Sequence, residues 1–198
     1  MATPEQPVPW GCVIGRFQPF HNDHLSLVSE AFQSRGRVII GITNPDKTQQ
    51  LSVPEAPHRH LSAANPFTFW QRLELVSAAL AGVVAPDCLR IVPFPIHDVG
   101  LWSSYLPDRT ECWVRERGRW EARKTQNLRA RYQVQTRPPV VEEVSGTQIR
   151  ALMATGDRSW HAFVPPAVSN LIERWLAEGT LSMSISGAPS NRPGPTTP

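Results

Sequence analysis

Ten consecutive residues carry most of the chemistry legible in this chain: Gly15-Arg16-Phe17-Gln18-Pro19-Phe20-His21-Asn22-Asp23-His24. They follow an apolar run, Trp10 to Ile14, that reads as a buried strand. They open into Leu25 to Phe32, whose apolar positions recur at helical spacing. A strand that turns through Gly, Arg and Pro into a helix beginning with two histidines suits the handling of phosphate. The start of such a helix offers N–H donors without intrahelical partners and the positive end of the helix dipole. His21, His24 and Arg16 add donors at the same point.

A second donor cluster lies about 120 residues downstream, in Val144-Ser145-Gly146-Thr147-Gln148-Ile149-Arg150. Ser145 is a good N-cap for a helix opening at Gly146, and a cap of this kind is compatible with a phosphate cradle. Between the clusters, the order of elements is strand 10–15, helix 22–35, strand 37–42, a Pro- and His-bearing loop 44–64, helix 67–81 and strand 89–93. A short helix near 99–105, strand 111–115, a basic segment 115–131, strand 131–135 (with extension to 142 open), helix 146–155 and an amphipathic helix 165–178 complete it. Strands alternating with helices imply an α/β fold with a Rossmann-like, doubly wound parallel sheet of five or six strands. Ligands of such sheets bind beyond the carboxyl ends of the strands. His21 and Asn44, each just after a strand, are expected on that rim.

Composition bounds the rest. The chain has 198 residues, 40% of them apolar and 19% charged, as in an ordinary globular domain. No apolar run reaches the roughly 18 residues of a membrane span. Cys12, Cys88 and Cys112 have neither CxxC nor zinc spacing, and their odd number suits reduced thiols and a cytoplasmic location. The net charge of +3 is too small to argue for nucleic acid and suits polyanionic small substrates. Residues 1–9 read as a flexible lead, 10–178 as one domain, and the Pro-, Gly- and Ser-rich stretch 179–198 as a disordered tail.

The early decapeptide resembles the GRFQPFHxGH signature of HxGH nucleotidyltransferases, in the form found in archaeal-type nicotinamide mononucleotide (NMN) adenylyltransferases and their cytidylyltransferase-like relatives. The later cluster is similar to that family's ISGTxIR motif, and Asn65-Pro66-Phe67-Thr68 to a further landmark. The resemblance covers roughly residues 10–178. It implies transfer of a nucleoside monophosphate from ATP or CTP to a small phosphate- or phosphonate-bearing acceptor, releasing pyrophosphate. It assigns His21, His24, Arg16 and Arg150 to catalysis at the phosphates. Gly15, Phe17, Asp23, Ser145, Gly146 and Thr147 would bind the nucleotide. Mg²⁺ would ride on the phosphates, no residue being assigned as a metal ligand. Asn44, Asp98, Trp102, Arg123 and Lys124 are the acceptor-side candidates, with Trp102 stacking on nicotinamide or else serving as a core aromatic. A homo-oligomer is a further implication, although no apolar stripe marks an interface.

Two departures qualify the resemblance. The glycine of HxGH is Asp23 here. That carboxylate could reshape the base pocket for a pyrimidine, since it can accept from the exocyclic amine of cytosine. It could equally impair turnover, leaving a nucleotide-binding regulator, or be a first-turn residue favoured by the helix dipole. The segment after the second strand, Thr43-Asn44-Pro45-Asp46-Lys47-Thr48, also lacks the Ser/Gln/His/Thr-containing pattern of the NMN enzymes. ATP plus NMN is therefore the family default, and CTP plus a small phosphonate the alternative.

Overall fold

The computed structural model describes residues 9–46, 60–115, 118–140 and 145–183. Lys47, Thr48, Val144, residues 1–8 of the lead and 184–198 of the tail lie outside them. Five strands form one parallel sheet: β1 (Gly11–Gly15), β2 (Val38–Thr43), β3 (Leu89–Phe94), β4 (Glu111–Arg115) and β5 (Gln133–Arg137), in the order β3-β2-β1-β4-β5. The helices are α1 (Asn22–Arg35), α2 (Phe69–Leu80), α3 (Gly118–Arg129), α4 (Gly146–Ala154) and α5 (Pro166–Ala177). The strand order reverses direction at β1, which gives the topology its switch point between β1 and β4.

Alternation along the strands sets the two faces. Val13, Val38, Ile40, Ile42 and Trp113 pack with α1, α2, α4 and α5 on one face. Cys12, Ile14, Ile39, Cys112 and Val114 point the other way and pack with Phe94, Trp102, Leu106 and Leu128. Both faces are covered, so β2 reads as an unbroken apolar run, and all six of its residues are buried.

The stretch expected only as basic, 115–131, contains α3. Its apolar signal is weak: among its residues of described burial, Leu128 and Thr125 are buried, while Arg119, Arg123 and Arg129 are exposed. The expected short helix near 99–105 is a 3₁₀ stretch, Val99–Ser104, and further 3₁₀ turns occur at Ser62–Ala64, Pro86–Cys88 and Arg158–Phe163. Among the described residues, no helix is long and apolar enough to cross a membrane.

An ion pair fixes the end of α1 on the sheet. Arg35 Nε lies 2.6 Å from Glu111 Oε2, and Gln135 donates to Glu111 Oε1 at 2.9 Å. The Arg35 hydrogen bond holds the Glu111 carboxyl below its usual value near 4.5 against the opposing effect of burial. A carboxyl depressed on folding stabilises the protein above its unfolded value, and this contribution disappears as pH falls through the depressed folded value. We therefore expect urea unfolding of Glu111→Gln to show a shallower loss of stability below pH 4.5 than the parent. An unchanged acid limb would remove Glu111 from that role.

Candidate active site

At the carboxyl end of β1 the chain makes the turn that the decapeptide encodes. Phe17 has φ 51°, in the left-handed region that non-glycine residues rarely adopt. Its ring is buried and packs against Phe20 at 5.5 Å and edge-on to His24 at 4.9 Å. A Cβ at position 15 would meet the Phe17 ring at 2.8 Å, so glycine is required before this turn. His21 is the extended N-cap of α1, and its backbone N–H donates to His24 Nδ1 at 3.2 Å. The two imidazoles stack at 3.6 Å. With Nδ1 accepting, the neutral tautomer of His24 carries its proton on Nε2, where it is a donor for a bound oxyanion.

The later cluster is brought onto the same turn. Ser145 caps α4 by accepting from the Gln148 N–H at 3.2 Å. Arg150 is buried and donates to the Gln18 carbonyl at 2.7 Å and to Thr147 Oγ1 at 3.1 Å. A Cβ on Gly146 would lie 2.9 Å from that same carbonyl. One cleft is consequently lined by Gly15, Arg16, Phe17, His21, Asp23 and His24 from the first motif and by Ser145, Gly146, Thr147 and Arg150 from the second. Two helix N-termini and their side-chain donors face a common space, a layout suited to one polyphosphate.

A third segment supports this floor, and sequence reasoning missed its central residue. Arg72, on α2, donates to the carbonyls of Arg16 at 3.0 Å, Thr43 at 2.6 Å and Asn44 at 2.8 Å, and to Thr68 of its own helix start at 3.3 Å. Burial alone lowers its pKa to about 10, still protonated at neutral pH. It thereby ties the ends of β1 and β2 together beside Phe17 and Asn44, the latter also left-handed with φ 50°. Gln18 pairs in both directions with the Phe67 backbone at 2.9 and 3.0 Å, and Arg16 donates to Asn65 Oδ1 at 3.2 Å. The Asn65-Pro66-Phe67-Thr68 landmark is thus a brace for the first motif. Only a generic signal marked Arg72 in the sequence, a lone arginine in an apolar helical stretch.

The acceptor-side expectations divide. Asn44 and Lys124 line the cleft, Lys124 Nζ lying 3.3 Å from the Ile14 carbonyl. Trp102 does not. It is fully buried in the core under β1–β4, with its indole N–H donating to the Pro95 carbonyl at 2.9 Å and its ring 5.5 Å from Phe94. Of the two readings open for Trp102, the structure has the core aromatic and not the stacking platform, because the large apolar ring finds a core position with its one polar atom satisfied. Asp98 is likewise outside the cleft lining; its Oδ1 accepts from Gly100 N–H at 3.1 Å and caps the 3₁₀ turn. Arg123 is exposed and does not line the cleft, although its charge is felt by His97. His97, which does line it, was missed; partial desolvation, and secondarily Arg123, push its pKa down. Its place just past β3 was the available clue.

A model of the cytidylyltransferase-like family matches residues 12–92. The phosphonoformate cytidylyltransferase of Streptomyces viridochromogenes is 33% identical over 173 residues, spanning 85% of this chain and 93% of that protein. The chain belongs to the HxGH nucleotidyltransferase family. It is a nucleotidyltransferase. The nicotinamide-nucleotide adenylyltransferase of Methanospirillum hungatei is 29% identical over 168 residues, covering 81% of this chain and 84% of that protein. A bifunctional NMN adenylyltransferase/ADP ribose pyrophosphatase of Francisella tularensis, solved with AMP and a manganese ion, shares the fold. Its TM-score is 0.62 at 19% identity, with 85% of this chain covered; the nucleotidyltransferase spans about half (49%) of that longer chain.

Because Gly146 admits the Gln18 carbonyl where a methyl would clash, Gly146→Ala should push α4 away from the first motif. Misplacement of about 1 Å can cost ~10²-fold in rate. We expect kcat/KM to fall at least tenfold with the circular dichroism spectrum intact; parental kcat/KM would show that the close approach is dispensable.

Proposed function

We propose that this nucleotidyltransferase transfers CMP from CTP to a small phosphonate, with Mg²⁺ accompanying the triphosphate. The burial of Trp102 carries the choice of acceptor. With that indole in the core and Asp98 spent on a turn, neither of the two residues expected to hold a nicotinamide ring lines the cleft. Asn44, Ile96, His97, Glu121 and Lys124 also line the cleft, and Lys124 supplies a cation for a compact anionic acceptor. The 33% identity to a phosphonoformate cytidylyltransferase supports the same reading.

We divide the cleft beyond the phosphate floor into two arms, one beside α1 and one near Lys124. Leu27 and Trp113, with Asp23 and Arg115 neutralising one another, line the arm beside α1, and this less charged arm suits the nucleoside. The cationic arm near Lys124 suits the acceptor. An acceptor oxygen attacks the α-phosphorus in line, the new P–O bond forms, and the bond to the β-phosphate breaks with pyrophosphate leaving. No covalent protein intermediate is needed, so the protein's work is positioning and charge stabilisation. His24 Nε2–H stabilises charge at the α-phosphate, while Ser145, Thr147, Arg150 and the α4 N–H groups hold the β- and γ-phosphates. His21 and Arg16 complete the floor.

Among the described residues, no group of three or more His, Cys, Asp or Glu side chains could hold a metal ion. The donor set fits a cation carried by phosphate oxygens and water, as Mg²⁺ commonly is with nucleotides. When bound it supplies neutralisation of phosphate charge.

Pyrophosphate release with ATP, CTP, GTP and UTP, each with phosphonoformate and with NMN, tests this reading. CTP-selective turnover with the phosphonate is expected; turnover restricted to ATP and NMN would overturn it. Under the productive pair, His24→Ala should lower kcat by ~10²–10³-fold, the scale of losing one preorganised oxyanion donor. A near-parental kcat would take His24 off the reacting phosphate.

A further inference from the structure

We infer that the buried Asp23–Arg115 pair selects the nucleobase, admitting a pyrimidine and shutting out a purine. The inference rests on assigning the α1-side arm to the nucleoside.

Asp23 stands one residue before His24, where the family signature has glycine, and it is only 3% exposed. Its Oδ1 lies 3.1 Å from Arg115 Nε and accepts from the Val140 N–H at 3.1 Å. Arg115 is the last residue of β4 and is 7% exposed. It donates to the Pro138 carbonyl at 2.9 Å, Ser26 Oγ at 3.0 Å and Glu30 Oε1 at 2.9 Å. One carboxylate therefore draws the end of β4 and the chain leaving β5 against the first turns of α1, beside the histidine that meets the phosphates. Both Asp23 and Arg115 line the cleft.

Glycine at position 23 could not make this clamp, because it has neither a charge to pair with Arg115 nor an acceptor for the Val140 N–H, and it leaves the side-chain volume empty. The clamp is poorly explained as a stabilising device. Burying two charges costs nearly as much as their attraction returns, and an apolar pair of similar volume would often serve stability as well. Its position on the wall of a substrate cleft gives it another use, rejection by occupied space. Hydrogen bonding to the carboxylate would not by itself separate cytosine from adenine, since both carry an exocyclic amine. Size does separate them: the second ring of a purine needs room beside α1 that the Asp23 carboxylate and the Arg115 guanidinium occupy.

Equilibrium titration with CTP and ATP, without acceptor, tests this in the parent, Asp23→Gly, Asp23→Asn and Arg115→Met. The parent should bind CTP in preference to ATP. Asp23→Gly should narrow the ATP/CTP ratio of Kd values at least ~10-fold through tighter ATP binding, the lower end of what a pocket-size change gives. Asp23→Asn keeps the side-chain volume and the oxygen acceptor for Val140 and should retain the parental ratio, whereas Arg115→Met should narrow it. A purely structural role would lower Tm in these variants while leaving the ratio fixed, and that result overturns the inference. Parental preference for CTP with an unchanged ratio in Asp23→Gly and Arg115→Met sinks the clamp alone. A parent that prefers ATP sinks both the clamp and the cytidylyl reading beneath it.

Discussion

The guanidinium of Arg150 and the carbonyl of Gln18, 132 positions apart in sequence and 2.7 Å apart in space, hold the two donor clusters in register. The contact is short because Gly146 stands beside it; any side chain there would press on the same carbonyl. Everything proposed for catalysis depends on this approach. An α1 N-terminus alone could attract a phosphate, and so could an α4 N-terminus. Gripping one triphosphate along its length requires both at a fixed separation.

The rest of the fold can be understood as support for that separation. The sheet places β1 at its centre, so the turn after it is buried from both sides, and Phe17 adopts its left-handed conformation with its ring locked between Phe20 and His24. Arg72 ties the ends of β1 and β2 from beneath, using a charge that the surrounding carbonyls solvate in place of water. Gln18 fastens the turn to the start of α2 through the Phe67 backbone. Each of these bonds ends on the backbone of a loop or of a strand's last residue, and loops lacking such ties would not hold donors within the tolerance that phosphoryl-type chemistry needs.

Local signals made much of this legible in the sequence. Apolar runs flanked by turn residues located β1 to β4, the polar β5 was expected at 131–135 and lies at Gln133–Arg137, and the Ser145 cap marked the start of α4 to the residue. The motifs named the phosphate floor because its donors belong to contiguous segments. Side chains whose role depends on tertiary partners were harder to read. Arg72 and Arg115 each look like ordinary helix or strand arginines until their carbonyl and carboxylate partners are known. Trp102 shows the opposite error: spacing alone could not distinguish an aromatic facing ligand from one facing the core, and burial of its large apolar ring decided the matter. The helical character of 118–129 was obscured because few of its residues face the sheet. Asp23 was visible as a departure, but its meaning came only with Arg115 and Val140.

The most direct measurement of the central claim is a crystal structure of the protein soaked with α,β-methylene-CTP, whose bridging carbon blocks transfer. We expect the α-phosphate within hydrogen-bond distance of His24 Nε2, and the β- and γ-phosphates against Ser145, Thr147 and the N-terminus of α4. A triphosphate bound at one motif while the other stays in solvent would contradict the convergence of the two clusters on a single substrate.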